Sequence, residues 1–146
     1  MKPTQRGTAI VEFALVLPLL LVLTMTTTEF GRAIYQYNTI VKSLRDATRY
    51  LSVQTPNTKL TEAKNLVVFG NIAGTGQALV PGLTVAKVSI PPWQVAGSNP
   101  VINTVKVTVT GYKFHSMFVR VFGVTFGDIN GDIPYGAISA TMRGSS

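Results

Sequence analysis

The sequence predicts an α+β fold, in which one long N-terminal α-helix leaves a membrane and packs on a small antiparallel β-sheet domain. Three observations lead to this prediction. The chain opens with an apolar stretch at residues 7–25, apolar residues then recur at helical spacing as far as residue 53, and later segments alternate apolar and polar side chains. With 146 residues, the chain has room for one modest domain beside a membrane segment.

The apolar stretch is long enough to cross a bilayer. Residues 8–28 number 21, and as an α-helix they extend over roughly 30 Å, which is the thickness of the hydrocarbon core. A single segment in lipid must be helical, because its backbone has no other hydrogen-bond partner there. Lys2 and Arg6 precede the stretch without an opposing acid. We therefore expect the N-terminus in the cytoplasm and the residues after Thr28 outside.

On its residues alone, this stretch has three interpretations. A cleaved secretory signal needs a small-x-small cleavage site soon after Leu23, and residues 24–26 make a poor one. A plain uncleaved anchor gives Glu12 no purpose, although its carboxylate, about one turn into the helix, can reach back to the headgroups. Cleavage after Gly7 would make Thr8 the first residue and Glu12 the fifth. The new amine and the carboxylate would then lie on one helix face, with Cβ atoms about 5–6 Å apart, and would neutralise each other or the charges of a neighbouring subunit.

The third interpretation agrees with a family resemblance. Residues 6–13, RGTAIVEF, resemble the prepilin pattern, which has glycine at the cut and glutamate at mature position five. The longer run of residues 6–20, which continues through Pro18, is similar to TadE-like proteins. Those proteins are minor pilins, or pseudopilins, of the tight-adherence (Flp) pilus system.

This resemblance implies a pilin-like stalk and a structural role in a type IV-like pilus. A prepilin peptidase would remove residues 1–7 as a leader by cutting between Gly7 and Thr8, and Glu12 would pair with the new amine during assembly. The implied partners are that peptidase, other pilins, the inner-membrane assembly proteins of the tight-adherence system and the lipid bilayer. The implied location is the bacterial inner (cytoplasmic) membrane, crossed once, with incorporation into a surface pilus. Because major pilins of this system are much shorter than 146 residues, the resemblance implies a minor subunit, or else an unusual filament with decorated subunits.

The helical pattern continues beyond the membrane through residues 29–53. Glu29 and Arg32 are three residues apart and can pair on the helix surface. An apolar stripe at spacings of four and three is predicted to pack on the domain, and residues 55–57, Thr-Pro-Asn, are predicted to end the helix. The stripe consists of Ala33, Tyr37, Ile40, Leu44, Ala47 and Leu51, and the solvated face opposite it consists of Arg32, Asn38, Lys42, Arg45, Asp46 and Arg49.

Residues 54–146 are predicted to form an extracytoplasmic α+β domain. A second, short helix is expected from Leu60 to Phe69, with Thr58 or Thr61 as its N-terminal cap. Gly70 is expected to stop it, because glycine readily adopts the left-handed conformation that ends many helices.

The remainder of the domain is predicted to be β-structure, because apolar and polar residues alternate. Trp93, which follows two prolines, either covers the end of the core or contacts a partner. The expected segments are a strand at Ala86, Val88 and Ile90, a strand at Val105, Val107 and Val109, a short helix or irregular turn and then an extended piece over residues 112–126, and a final strand over residues 137–143 with Ile138, Ala140 and Met142 on one face.

Few residues suit catalysis or cofactor binding. The chain has six acids, a single histidine (His115) and no cysteine, so we predict neither an enzyme nor a cofactor. Asp128, Asn130 and Asp132 place oxygen ligands at alternate positions, which makes them a candidate metal site. The glycine among them comes too early for an EF-hand loop, and the Asn-Gly pair is typical of a hairpin turn. Residues 74–76, Gly-Thr-Gly, are expected to form a plain loop, since no Lys-Ser/Thr follows to complete a phosphate loop.

The net charge is +7, from 13 basic and 6 acidic side chains. The basic residues are scattered and form no long run, so we predict no specific nucleic-acid partner. Such a charge favours general attraction to anionic polymers of the envelope. The alternative function is therefore a single-pass, membrane-anchored envelope binding module that contacts anionic polymers or a protein partner through its basic face.

Overall fold

The computed structural model describes residues 6–145, and it confirms an α+β fold built on one long N-terminal helix. That helix, α1, extends over Arg6–Ser52, 47 residues, with Pro18 inside it. It ends one residue before the predicted Val53, just ahead of Pro56, whose ring disfavours helical geometry in the residue before it. Residues 1–5 of the predicted leader lie outside the described residues.

The second helix, α2, extends over Leu60–Phe69, as predicted. Gly70 ends it in the left-handed conformation (φ 72°), and its amide donates to the Leu66 carbonyl at 3.0 Å. The predicted cap on Thr58 or Thr61 is wrong. Lys59 occupies the cap position, and its side chain does not cap the helix amides. The Thr58 hydroxyl donates instead to the Thr55 carbonyl at 2.6 Å.

The main sheet has four strands, and its longest strand, β3, pairs with the other three. β3 extends over Ile102–Val109 and is antiparallel to β1 (Val88–Ser89), β2 (Gln94–Ala96) and β8 (Ile138–Arg143). β3 and β8 pair from Thr104 opposite Arg143 to Val109 opposite Ile138. The four remaining strands form two two-stranded sheets, β4 (Lys113–His115) with β7 (Asp132–Pro134), and β5 (Arg120–Val121) with β6 (Val124–Thr125).

Two parts of the strand prediction need correction. The strand expected at Ala86, Val88 and Ile90 is reduced to Val88–Ser89, because Ala86 lies in a 3-10 turn. Of the two alternatives for the first part of residues 112–126, the short helix is wrong, since these residues form short strands and turns. The phenylalanines there are four residues apart but share no face, since Phe114 is buried and Phe122 is 65% exposed.

The chain divides into two compact units, and the larger one contains the hydrophobic core. This unit comprises residues 35–114 and 134–145. Of the six residues of the predicted helix stripe, four are fully buried in this unit, Ala33 is half-buried, and Tyr37 is 45% exposed, with its ring edge-to-face with that of Tyr135. The fully buried helix residues are Ile40, Leu44, Ala47 and Leu51, and they cluster with Val67, Val105, Val107 and Val109, among others.

A buried hydrogen bond links the helix to this core. Tyr112 is 1% exposed, and its hydroxyl donates to Gln36 Oε1 at 2.7 Å. Burial, reinforced by the nearby Tyr135, raises the pKa of Tyr112 to about 12. The hydroxyl therefore stays protonated and can serve as a donor throughout the physiological pH range.

Trp93 covers one end of the core, as the first of its two interpretations predicted. It is half-buried and packs against the core residues. A Cβ atom added at Gly144 would lie 2.0 Å from its ring. Gly144 is thus needed to let the backbone of the last residues approach the indole.

We expect Gly144→Ala to lower the free energy of unfolding by about 1–3 kcal/mol, because the new methyl group overpacks against a rigid ring. Urea unfolding followed by the fluorescence of Trp93 measures it, since this is the single tryptophan. Gly136→Ala is the matched control, because a Cβ atom there meets nothing within 4 Å. Equal stability of the two variants would contradict the prediction.

Candidate functional site

The apolar half of α1, residues 8–28 and called here the bare stretch, has no buried side chain. Leu15, for example, is 75% exposed. Within the described residues, α1 is the one helix long and apolar enough to cross a membrane, and none of its apolar window is covered by the rest of the chain. The core helix of a soluble protein would be mostly buried, so this exposure favours lipid or other helices as its surroundings.

The hydroxyl groups at the threonine-rich end of this stretch form hydrogen bonds within the helix. The hydroxyls of Thr26, Thr27 and Thr28 each donate to the carbonyl four residues earlier, at 2.7, 2.9 and 2.9 Å. Thr24 bonds to the Leu20 and Leu21 carbonyls in the same way, at 3.0 Å. With their hydroxyls satisfied within the helix, these residues are compatible with the outer edge of a bilayer.

The predicted cleavage site and Glu12 lie on this bare helix. Thr8 and Glu12 are four residues apart in α1 and therefore on the same face. Glu12 is exposed. Among the described residues, none forms an ion pair with it. Its carboxylate is thus available to a charge from outside, or to an amine at Thr8 once that amine exists.

Burial begins at Glu29, the first residue after the bare stretch. Glu29 is 4% exposed. Arg32 Nη1 donates to its Oε1 at 2.6 Å, which confirms the predicted pair. Its other oxygen, Oε2, accepts from the Met117 amide at 3.1 Å. Glu29 therefore holds residues 116–117 against the helix, a contact that sequence reasoning missed.

The charged state of Glu29 is stabilised by these partners. Burial alone would raise the pKa of Glu29, but the hydrogen bonds from Arg32, Ser116 and Met117 outweigh it and hold the pKa below its ordinary value. Because the folded-state pKa is lowered, this contribution to stability is complete above the unfolded-state pKa and is lost as the pH falls through the folded-state pKa.

We expect Glu29→Ala to lower the hydrogen-exchange protection of the Met117 amide by about tenfold or more, since a hydrogen bond to a charged acceptor contributes about 1.5–3 kcal/mol. Protection in the unchanged protein should fall in the same way on acidification below about pH 4.5. Glu62→Ala is the control, because Glu62 forms an exposed pair with Lys59. If the Met117 amide exchanges equally in both variants, Glu29 does not hold the loop.

The candidate metal-ligating residues lie in a turn, and their side chains form hydrogen bonds there. Asp128 Oδ1 accepts from the Asn130 and Asp132 amides at 2.8 and 2.9 Å, and Asp132 Oδ1 lies 3.0 Å from Nδ1 of the exposed His115. The described residues contain no group of three or more His, Cys, Asp or Glu side chains placed to hold a metal ion. A cation at Asp128, Asn130 and Asp132 stays an untested prediction.

Comparison with known proteins gives a match that lies within the long helix. Residues 7–49 match the family model described as TadE-like protein. No curated protein and no solved structure matches the chain. The matched range begins at Gly7, includes Glu12 and ends at Arg49, three residues before the end of α1. The similarity therefore concerns the pilin-like helix and not the domain that follows it.

Proposed function

Because the chain belongs to the TadE-like family through residues 7–49, we propose that it is a minor pilin or pseudopilin of a tight-adherence (Flp) pilus. It is a structural subunit of a pilin-like family and performs no catalysis. Its bare apolar helix with a carboxylate near one end is the observation that carries the proposal. Such a helix can reside in lipid and then exchange lipid for the helices of other pilins.

In this proposal, residues 1–7 are a leader that a prepilin peptidase removes at the cytoplasmic face. Residues 8–28 (the membrane span) cross the bacterial inner membrane, residues 29–53 continue the helix, and residues 54–146 form the extracytoplasmic domain. Cleavage at the Gly7–Thr8 bond creates an amine one helical turn from Glu12. The two charges neutralise each other or those of an adjacent pilin, which lowers the cost of placing both in an apolar bundle.

The domain must travel with the helix into any filament. Ile40, Leu44 and Leu51 of α1 are part of the domain's own core, so the domain cannot detach from the helix without exposing that core. A subunit built this way adds a folded body to the filament wherever it is inserted. This supports a minor position, such as an initiator or tip, more than the body of a thin filament.

The N-terminal sequence of the protein purified from membranes tests the proposal. We expect the mature chain to begin at Thr8, and a Gly7→Leu variant, whose larger side chain should block the peptidase, to begin at Met1. A start at Met1 in the unchanged protein, or a start beyond Thr24, would contradict the pilin function.

An anchored envelope binding module is the second candidate, and one observation favours it. In the described chain, β8 pairs with β3 alone, and a groove of about 620 Å³ lies beside β8, lined also by Tyr37, Val41 and Arg45. An open strand edge beside a cation can take up an extended, acidic segment of a partner. This function requires an uncleaved protein, so it predicts a start at Met1 in the same sequencing experiment.

A further inference from the structure

The segment of residues 116–131, called here the juxtamembrane loop, exposes unusually many apolar side chains. It belongs to the smaller compact unit, which comprises residues 6–34 and 115–133. Four of its apolar residues are more than two-fifths exposed, and a soluble domain seldom leaves so many together in water. They are Met117 (68%), Phe122 (65%), Val124 (43%) and Ile129 (91%).

Two of these residues occupy turns that ordinarily carry polar residues or glycine. Phe122 and Gly123 connect β5 to β6, with φ angles of 46° and 86°. Two positive φ angles in a two-residue hairpin define a turn in which Asn, Asp and Gly are strongly preferred. Ile129 lies in the second turn, which Asp128 stabilises through its Oδ1. Neither burial nor local conformational preference accounts for an exposed phenylalanine or isoleucine at these positions, called here the tip residues.

The position of the loop along α1 is fixed by Glu29. The Met117 amide donates to Glu29 Oε2, and Glu29 is the first residue after the 21-residue membrane span. The backbone of Met117 therefore lies at the depth of the lipid headgroups if residues 8–28 cross the bilayer. From Met117 to Phe122 the chain can reach at most about 18 Å, which exceeds the headgroup layer of roughly 5–8 Å.

We propose that the juxtamembrane loop is a second membrane contact, whose tip residues Phe122 and Ile129 insert into the outer leaflet beside the helix. The exposed Arg120 lies two residues from the first tip, where its charge suits anionic headgroups. The inference rests on the proposed membrane span. It adds to the proposed function an anchor that fixes the rotation of the helix before assembly.

The absence of cysteine allows single labels to test this contact in the full-length chain. Phe122→Cys and Ile129→Cys would each carry an environment-sensitive fluorophore, in nanodiscs of phosphatidylcholine and phosphatidylglycerol with one protein copy per disc. Lipids brominated on the acyl chain quench only a fluorophore that reaches the hydrocarbon. Leu20→Cys in the span is the positive control, and Lys106→Cys, exposed on β3, is the negative one.

We expect bromolipid quenching at both tip positions of at least twice that at Lys106, and loss of this difference when Glu29→Ala is added. Unchanged Trp93 fluorescence shows that each variant is folded. Quenching at Leu20 with none at either tip would overturn the loop contact and leave the span intact. No quenching at Leu20 would refute the span, and the loop contact with it. Tips that become shielded only in discs with two copies would assign the loop to a protein interface and overturn the lipid contact.

Discussion

Replacing Glu12 with alanine is expected to leave the protein in the membrane and to reduce its incorporation into filaments by tenfold or more. Insertion does not need the carboxylate, since an acid in an apolar helix costs up to about 2.5–3.5 kcal/mol. Assembly does need it if the new amine at Thr8 enters an apolar bundle. Removing one partner of a buried charge pair typically costs about 3–5 kcal/mol, because the other charge is left uncompensated.

Immunoblots of sheared filaments and of membranes, with the two signals expressed as a ratio, measure this effect. Val16→Ala is the matched control, because Val16 lies one turn further along the same bare helix, is 43% exposed and carries no charge. Glu12→Gln keeps the shape of the side chain and should be left out of filaments almost as completely as Glu12→Ala. Normal incorporation of Glu12→Ala would show that the carboxylate does not pair during assembly, even if the chain begins at Thr8.

The helix was largely predictable from the sequence because its signals are local. The apolar run and the 3.6-residue period predicted the C-terminal end of α1 to within one residue. They also predicted the burial of Ile40, Leu44, Ala47 and Leu51. The pattern was wrong about one helical turn before Ile40, where Tyr37 is exposed and Gln36 is buried. The partner of Gln36 is the Tyr112 hydroxyl, 76 residues away, and no local pattern contains such a contact.

The strands were predictable only where they are long. Alternation identified β3, in which Val105, Val107 and Val109 are fully buried, and the final strand β8. Strands of two or three residues, such as β1 and β2, are too short to show a period, and their pairing with β3 defines them. The fourfold phenylalanine spacing in residues 112–126 was misleading, because turns with positive φ at Phe122 and Gly123 interrupt it.

The candidate site was also predictable only where its residues are close together in the sequence. Gly7 and Glu12 were identified from their spacing together with the resemblance to prepilins, and their roles in cleavage and in pairing stay predictions. The Glu29–Arg32 pair was also visible in the sequence and is confirmed. The contact of Glu29 with Met117 was not, because it joins residues 88 positions apart. That contact holds the backbone of Met117 beside the helix, so the sequence predicted the helix but not this long-range contact with it.

Replacing Leu44 with alanine is expected to lower the free energy of unfolding of the domain by about 2–5 kcal/mol. Leu44 is fully buried on the helix face that forms the core, so its loss removes apolar contacts and leaves a cavity. Helix propensity contributes little, since alanine and leucine are both good helix formers. Urea unfolding of the full-length protein in detergent micelles, followed by Trp93 fluorescence, gives the difference.

Leu15→Ala separates the two halves of the helix in the same experiment. Leu15 is 75% exposed, and its surroundings in the proposal are lipid or detergent, so its truncation should change the stability of the domain by less than about 0.5 kcal/mol. An equal loss in both variants would mean that the apolar half already packs on the domain, and residues 8–28 could then not form a free membrane span. No loss for Leu44→Ala would mean that the domain folds independently of α1. The helix would then be a detachable anchor, which suits the binding module and not a pilin that carries its domain into the filament.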